Sequence, residues 1–186
     1  GDVNGDGYID LIVGAPEEFA DGEAHLFLGG PQGIDYAPDV TLVNSGLNAF
    51  GSLVAAAGDV NGDGYGDVMI GADEGVKILL GDGEAPLAGD GIIIYTPTVA
   101  SGATFADSMT SVRDLDGDGT GDVLIGAPGV GKIYLYQGGE NGPEPTTPDL
   151  TLEGITTIPG FGSNMAMRAL HKLPRRWLGI AGGPRR

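Results

Sequence analysis

A nine-residue phrase occurs three times in this chain and governs how the rest can be arranged. The copies are Asp2-Val3-Asn4-Gly5-Asp6-Gly7-Tyr8-Ile9-Asp10, Asp59-Val60-Asn61-Gly62-Asp63-Gly64-Tyr65-Gly66-Asp67 and Asp114-Leu115-Asp116-Gly117-Asp118-Gly119-Thr120-Gly121-Asp122. Oxygen-bearing side chains stand at positions 1, 3, 5 and 9 of every copy, and glycine at positions 4 and 6. One Asp-Gly or Asn-Gly pair is enough to make a polar hairpin turn. Turn formation therefore leaves the other carboxylates unexplained, and at such spacing they repel one another unless a cation lies among them. A hard cation such as calcium takes six to eight oxygen ligands at roughly 2.3–2.6 Å. Side chains from positions 1, 3, 5 and 9, with the backbone carbonyl of position 7, meet most of that demand. Glycine at position 6 allows the sharp turn around the ion, since it takes positive φ without a Cβ clash.

The residues after each loop decide what kind of cation loop it is. An EF-hand carries a bidentate Glu at position 12 and runs into a helix. Here position 12 is Val13, Ile70 or Ile125. The loops run into Asp10-Leu11-Ile12-Val13-Gly14, Asp67-Val68-Met69-Ile70-Gly71 and Asp122-Val123-Leu124-Ile125-Gly126. Short apolar runs closed by glycine read as strands. The loops therefore join strand to strand, unlike EF-hands and unlike dockerin modules, whose similar loops precede helices.

The repeat has a period. Asp2 to Asp59 is 57 residues, and Asp59 to Asp114 is 55. Phe50-Gly51-Ser52, Phe105-Ala106-Asp107 and Phe161-Gly162-Ser163 keep the same step, as do Gly14-Ala15-Pro16, Gly71-Ala72-Asp73 and Gly126-Ala127-Pro128. A period of this size with several short strands per unit is that of a propeller blade. The second unit reads as strands Phe50–Ala57, Asp67–Gly71, Val76–Leu80 and Ile92–Tyr95. The third reads as Ser108–Arg113, Asp122–Gly126, Lys132–Tyr136 and Leu150–Leu152, and the first keeps Leu11–Val13, Ala24–Leu28 and Val40–Val43. Asp82–Gly91 reads as a plain surface connection. The predicted units are 1–43, 44–98, 99–155 and the start of a further one at 156–163.

The order Phe-Gly, Asp-x-Asn-Gly-Asp-Gly-x-x-Asp, apolar strand, Gly-Ala-Pro resembles the FG-GAP repeat of integrin α-subunit β-propellers and related secreted proteins, over roughly residues 1–163. The resemblance implies an all-β fold of four-stranded antiparallel blades belonging to a seven-bladed propeller. It implies calcium between the first two strands of some blades, on the face away from the main ligand surface. The implied ligands are Asp2, Asn4, Asp6 and Asp10 with the carbonyl of Tyr8, then Asp59, Asn61, Asp63 and Asp67 with that of Tyr65. The third set is Asp114, Asp116, Asp118 and Asp122 with the carbonyl of Thr120. Ala106 departs from the Phe-Gly glycine and Asp73 from the Gly-Ala-Pro proline, both outside the loops.

Two complete units and parts of two more cannot close a ring, and the chain opens inside a motif, so the sequence reads as a piece of a longer protein. After Phe161-Gly162-Ser163 a fourth loop is due near residue 170, yet a basic stretch, 164–186, follows. One reading is a basic helix or partner-binding tail. The favoured one is a shifted reading frame: Arg175-Arg176-Trp177-Leu178-Gly179 written CGG-CGA-TGG-CTG-GGN gives Gly-Asp-Gly-Trp one base over.

Charge and composition narrow the function. All 26 acidic residues precede residue 163, against Lys77, Arg113 and Lys132, and ten of those carboxylates lie in the three loops. Such a body repels nucleic-acid phosphates. No apolar run reaches membrane-spanning length. With no cysteine, no disulfide reports the redox compartment. The two histidines, His25 in an apolar strand and His171 in the basic stretch, make no catalytic set with serine or aspartate. Tyr134 and Tyr136 read as blade packing. The preferred expectation is no enzyme but a calcium-stabilised adhesion or recognition module, secreted or at the cell surface, with an extracellular protein or carbohydrate ligand. The alternative is an accessory propeller of a secreted hydrolase, such as a phospholipase or a polysaccharide-degrading enzyme.

Overall fold

A computed structural model describes residues 1–17, 21–43, 46–73, 75–83, 87, 91–95, 105–154 and 160–166. The basic stretch from 167 onward, much of the Asp82–Gly91 connection and the predicted unit boundaries at 44, 98–99 and 155–156 lie outside the described residues.

Eleven strands are present among them. The first sheet holds β1 (Leu11–Ala15), β2 (Glu23–Phe27) and β3 (Val40–Val43). The second runs β4 (Leu53–Gly58), β5 (Asp67–Ala72), β6 (Gly75–Leu79) and β7 (Ile92–Tyr95) in sequence order. The third repeats this with β8 (Ser108–Arg113), β9 (Asp122–Ala127), β10 (Lys132–Tyr136) and β11 (Leu150–Glu153). Every neighbouring pair is antiparallel. Among the described residues the only helical element is a 3-10 turn at Pro128–Val130. The fold is all-β, and its sheets are propeller blades.

Alternation along the strands builds the stack, because successive side chains point to opposite faces of a sheet. In the second sheet Val68, Ile70, Ala72 and Leu79 face the first sheet and join Val3, Ala24, Leu26, Leu42 and Phe50 in one apolar cluster. Met69, Val76, Ile78 and Ile94 face the third sheet and join Met109, Val123, Ile125, Ala127, Tyr134 and Tyr136 in another. The middle sheet is thus apolar on both faces, which explains why β5 reads as a continuous apolar run from Val68 to Ala72. Strand β4 touches β1 on one side and β8 on the other.

The Phe-Gly turn of one unit locks onto the Gly-Ala-Pro strand end of the unit before it. A Cβ at Gly14 would stand 2.0 Å from the Gly51 carbonyl oxygen, and one at Gly126 would stand 2.2 Å from that of Gly162. Two backbones that close admit only glycine. Both departures from the motif fall at the remaining junction. Ala106 keeps the turn's left-handed backbone at φ 64, while Asp73, unlike proline, has an N–H and donates it to the Asn48 carbonyl at 2.9 Å.

Candidate metal centres

The second and third nine-residue loops leave the first strand of their blade and enter the second, and the first loop enters β1. The entry is kinked in the second and third blades: β4 pairs with β5 through a register shift at Ala56/Gly58, and β8 with β9 through one at Ser111/Arg113. Gly58 and Arg113, each immediately before position 1, both take positive φ.

Within a loop the carboxylates organise the backbone. In the second loop Asp59 accepts from the amides of Asp63 and Gly64 at 3.0 and 2.9 Å, and Asp63 accepts from Tyr65 at 2.9 Å. The first loop repeats this with Asp2, Asp6, Gly7 and Tyr8. The third closes more tightly at Asp114, which accepts from Gly117 and Gly119. Asp118 accepts from both the amide and the hydroxyl of Thr120, and these bonds hold its carboxyl below the usual range.

Position 9 behaves differently. Asp67 is buried, and both its oxygens are engaged: Val60 N–H donates to one at 2.6 Å and Gly81 N–H to the other at 2.8 Å. Asp122 is bound in the same way by Leu115 and Gly138, and Asp10 by Val3 and Gly29. Burial pushes Asp67 up to about 6 against the opposing pull of those amides, and Asp63 and Asp59 add to the rise. Burial raises Asp122 likewise. Position 9 therefore ties the loop to the glycine two residues beyond β2, β6 or β10 of its own blade. A glycine at 29, 81 and 138 was visible in the sequence, but its tie to position 9 was not.

The exposed side chains converge. Oxygens of Asp114, Asp116 and Asp118 lie within 4.8 Å of one another. Asp122 lies outside that trio, while Asp2, Asp6, Asp59 and Asp63 occupy the matching positions of their own loops, with Asn4 and Asn61 between them. Asn61 donates its amide to Asp63 at 2.7 Å. Among the described residues none of these carboxylates is ion-paired with a lysine or arginine. Asp116 is held by a residue the sequence did not point to, Gln137, whose amide donates to it at 2.8 Å. Leucine stands at the equivalent place, 28 and 80, in the other blades.

Residues 2–70 match a family model described as an FG-GAP-like repeat, and residues 105–142 match one described as an FG-GAP repeat. The chain belongs to the FG-GAP repeat family. Its FG-GAP units are similar to those of integrin alpha-IIb from Mus musculus, 36% identical over 155 residues, and of the Homo sapiens protein at 34%. Integrin alpha-PS5 of Drosophila melanogaster is 30% identical over 149 residues. Each alignment covers 73% of this chain and only 15% of the relative. The FG-GAP chain thus spans about a seventh of the length of these curated relatives.

The donor set fits a hard divalent cation. It is all oxygen, and in the third loop three exposed like charges stand together without a cationic side chain. Oxygens that accept an amide keep a second lone pair, so clamping the backbone does not use up the acceptor capacity of the position-9 aspartates.

Proposed function

We propose that this chain is a calcium-binding part of an FG-GAP propeller, seven-bladed when complete, from an extracellular or cell-surface adhesion or recognition protein, and that its calcium is structural. The observation that carries this reading is the convergence of Asp114, Asp116 and Asp118 in a blade whose strand order matches that of the second blade. Similarity to integrin α chains supports the adhesive setting. No helix among the described residues is long and apolar enough to cross a membrane. The partner is an extracellular protein or carbohydrate, and the chain contributes recognition rather than catalysis.

The ligands in this reading are the side chains of Asp2, Asn4, Asp6 and Asp10, of Asp59, Asn61, Asp63 and Asp67, and of Asp114, Asp116, Asp118 and Asp122, with the carbonyls of Tyr8, Tyr65 and Thr120. A bound calcium supplies the positive charge that offsets repulsion within each loop. The chain itself supplies the rigidity, because the carboxylates are already oriented by their own loop amides. Affinity in the extracellular range, with Kd of about 10⁻⁴ to 10⁻³ M, suits such a module.

Calorimetric calcium titration of the chain and of Asp63→Ala tests the assignment. Three ions should bind the parent and two the variant. Equal stoichiometry in the two proteins would refute it.

A further inference from the structure

Successive metal loops are bonded to one another, and the same bonds recur at both junctions. Gly66, position 8 of the second loop, donates its N–H to the carbonyl of Asp2, position 1 of the first, at 2.7 Å. Gly121 of the third loop donates to the carbonyl of Asp59 in the second at 2.6 Å. A second bond reinforces each: Asp82 N–H donates to the Val3 carbonyl at 2.9 Å, and Gly139 N–H to the Val60 carbonyl at 3.0 Å.

These bonds lie on a continuous path between the sites. Gly138 and Gly139 are adjacent. The first donates to Asp122 of its own loop and the second to Val60 of the preceding loop. Val60 in turn donates its own N–H to Asp67. The same path runs from Asp67 through Gly81 and Asp82 to Val3 and Asp10. Side chains close the contact. The Thr120 methyl would stand 3.3 Å from a Cβ at Gly62, and the Tyr65 ring occupies the space a Cβ at Gly5 would need. Val60, bonded on both sides, is fully buried, whereas Leu115 at the same position of the third loop is 51% exposed.

We propose that the loops bind their ions cooperatively, because Gly121 and Gly139 of the third blade position Asp59 and Val60 of the second loop, and Gly66 and Asp82 do the same for the first. This rests on the calcium reading above. An ion that fixes the third loop fixes Gly121 and Gly139, so the second loop no longer has to order its first two residues alone. Linkage makes the effect reciprocal.

Tyrosine stands at position 7 of the first two loops and threonine at that of the third, which allows one loop to be read separately. Terbium, a calcium-sized lanthanide, luminesces when a nearby tyrosine is excited. In an Asp6→Ala background the second loop alone reports through Tyr65. Adding Asp118→Ala, which empties the third loop, should raise the terbium midpoint of the second by about fivefold or more. Adding Gly121→Ala instead leaves every metal ligand in place but sets a Cβ 3.0 Å from the Asp59 carbonyl oxygen, and should raise the midpoint in the same direction. Circular dichroism identifies which variants keep the sheet signal, and either one that does is sufficient for the test. Unchanged midpoints would overturn the coupling and leave the calcium assignment intact. Absence of sensitised terbium emission from the unmutated chain would overturn both.

Discussion

Among the described residues, four other than glycine hold left-handed backbone: Ala49, Leu87, Ala106 and Arg113. Two of them mark where this sequence deviates from its own repeat. Ala106 stands where the other two Phe-Gly turns have glycine, and Arg113 stands where Gly58 precedes the second loop. Left-handed backbone costs an L-residue roughly 1–2 kcal/mol, and glycine gives back part of that through its freer unfolded chain. Ala106→Gly and Arg113→Gly should therefore each stabilise the chain by about 0.5–1 kcal/mol in denaturant melts. Tyr136 gives the pH dependence. Burial, with smaller contributions from Tyr134 and Asp149, pushes its hydroxyl from 10.0 up to about 12. The folded chain thus keeps that proton after the unfolded chain has lost it. Stability from this group is level below pH 10 and falls as pH rises from 10 through 12. Melting followed across that range should show the fall, and Tyr136→Phe should reduce it.

The strands were legible because their period-2 pattern and their glycine stops are local properties of the chain. Predicted and observed strands agree at Ile92–Tyr95, Ser108–Arg113, Lys132–Tyr136 and Val40–Val43, and differ elsewhere mainly at their ends. The largest shift is in β4, expected from Phe50 but starting at Leu53, because Ala49 and Gly51 take positive φ and form the locking turn. The nine-residue loops were equally plain as a spacing of oxygens. What the spacing concealed is that position 9 serves the backbone. Its oxygens are bound by Val60 and Gly81 in the second blade, and Gly81 lies far along the chain, where only the completed sheet brings it close. Gln137 was concealed for the same reason. The clamp predicts an asymmetry between ligands. At saturating calcium Asp67→Ala should destabilise more than Asp63→Ala, by about 1–3 kcal/mol, since it also leaves two amides without their acceptor. Equal losses in chemical denaturation would show that position 9 acts only through the ion.

At the scale of the molecule, the blades depend on each other's faces. The second blade is covered on both sides, while Leu11, Val13 and Val43 of the first sheet and Leu150 and Leu152 of the third remain exposed. The propeller was legible from the repeat period, since a unit of this size buries its faces only against neighbours. The bonds between loops were not, because they join backbone atoms and carry no sequence signature beyond Gly66 and Gly121. On the proposed calcium reading the ion acts on this scale too: at 10 mM with the expected affinities, each site should add about 1.4–2.7 kcal/mol by mass action. Thermal melting of the chain in 10 mM calcium and in excess chelator tests the account most directly. A melting temperature higher in calcium by about 8 °C or more is predicted, with magnesium a poor substitute because it demands tight octahedral geometry. Identical melting temperatures in calcium and chelator would contradict it.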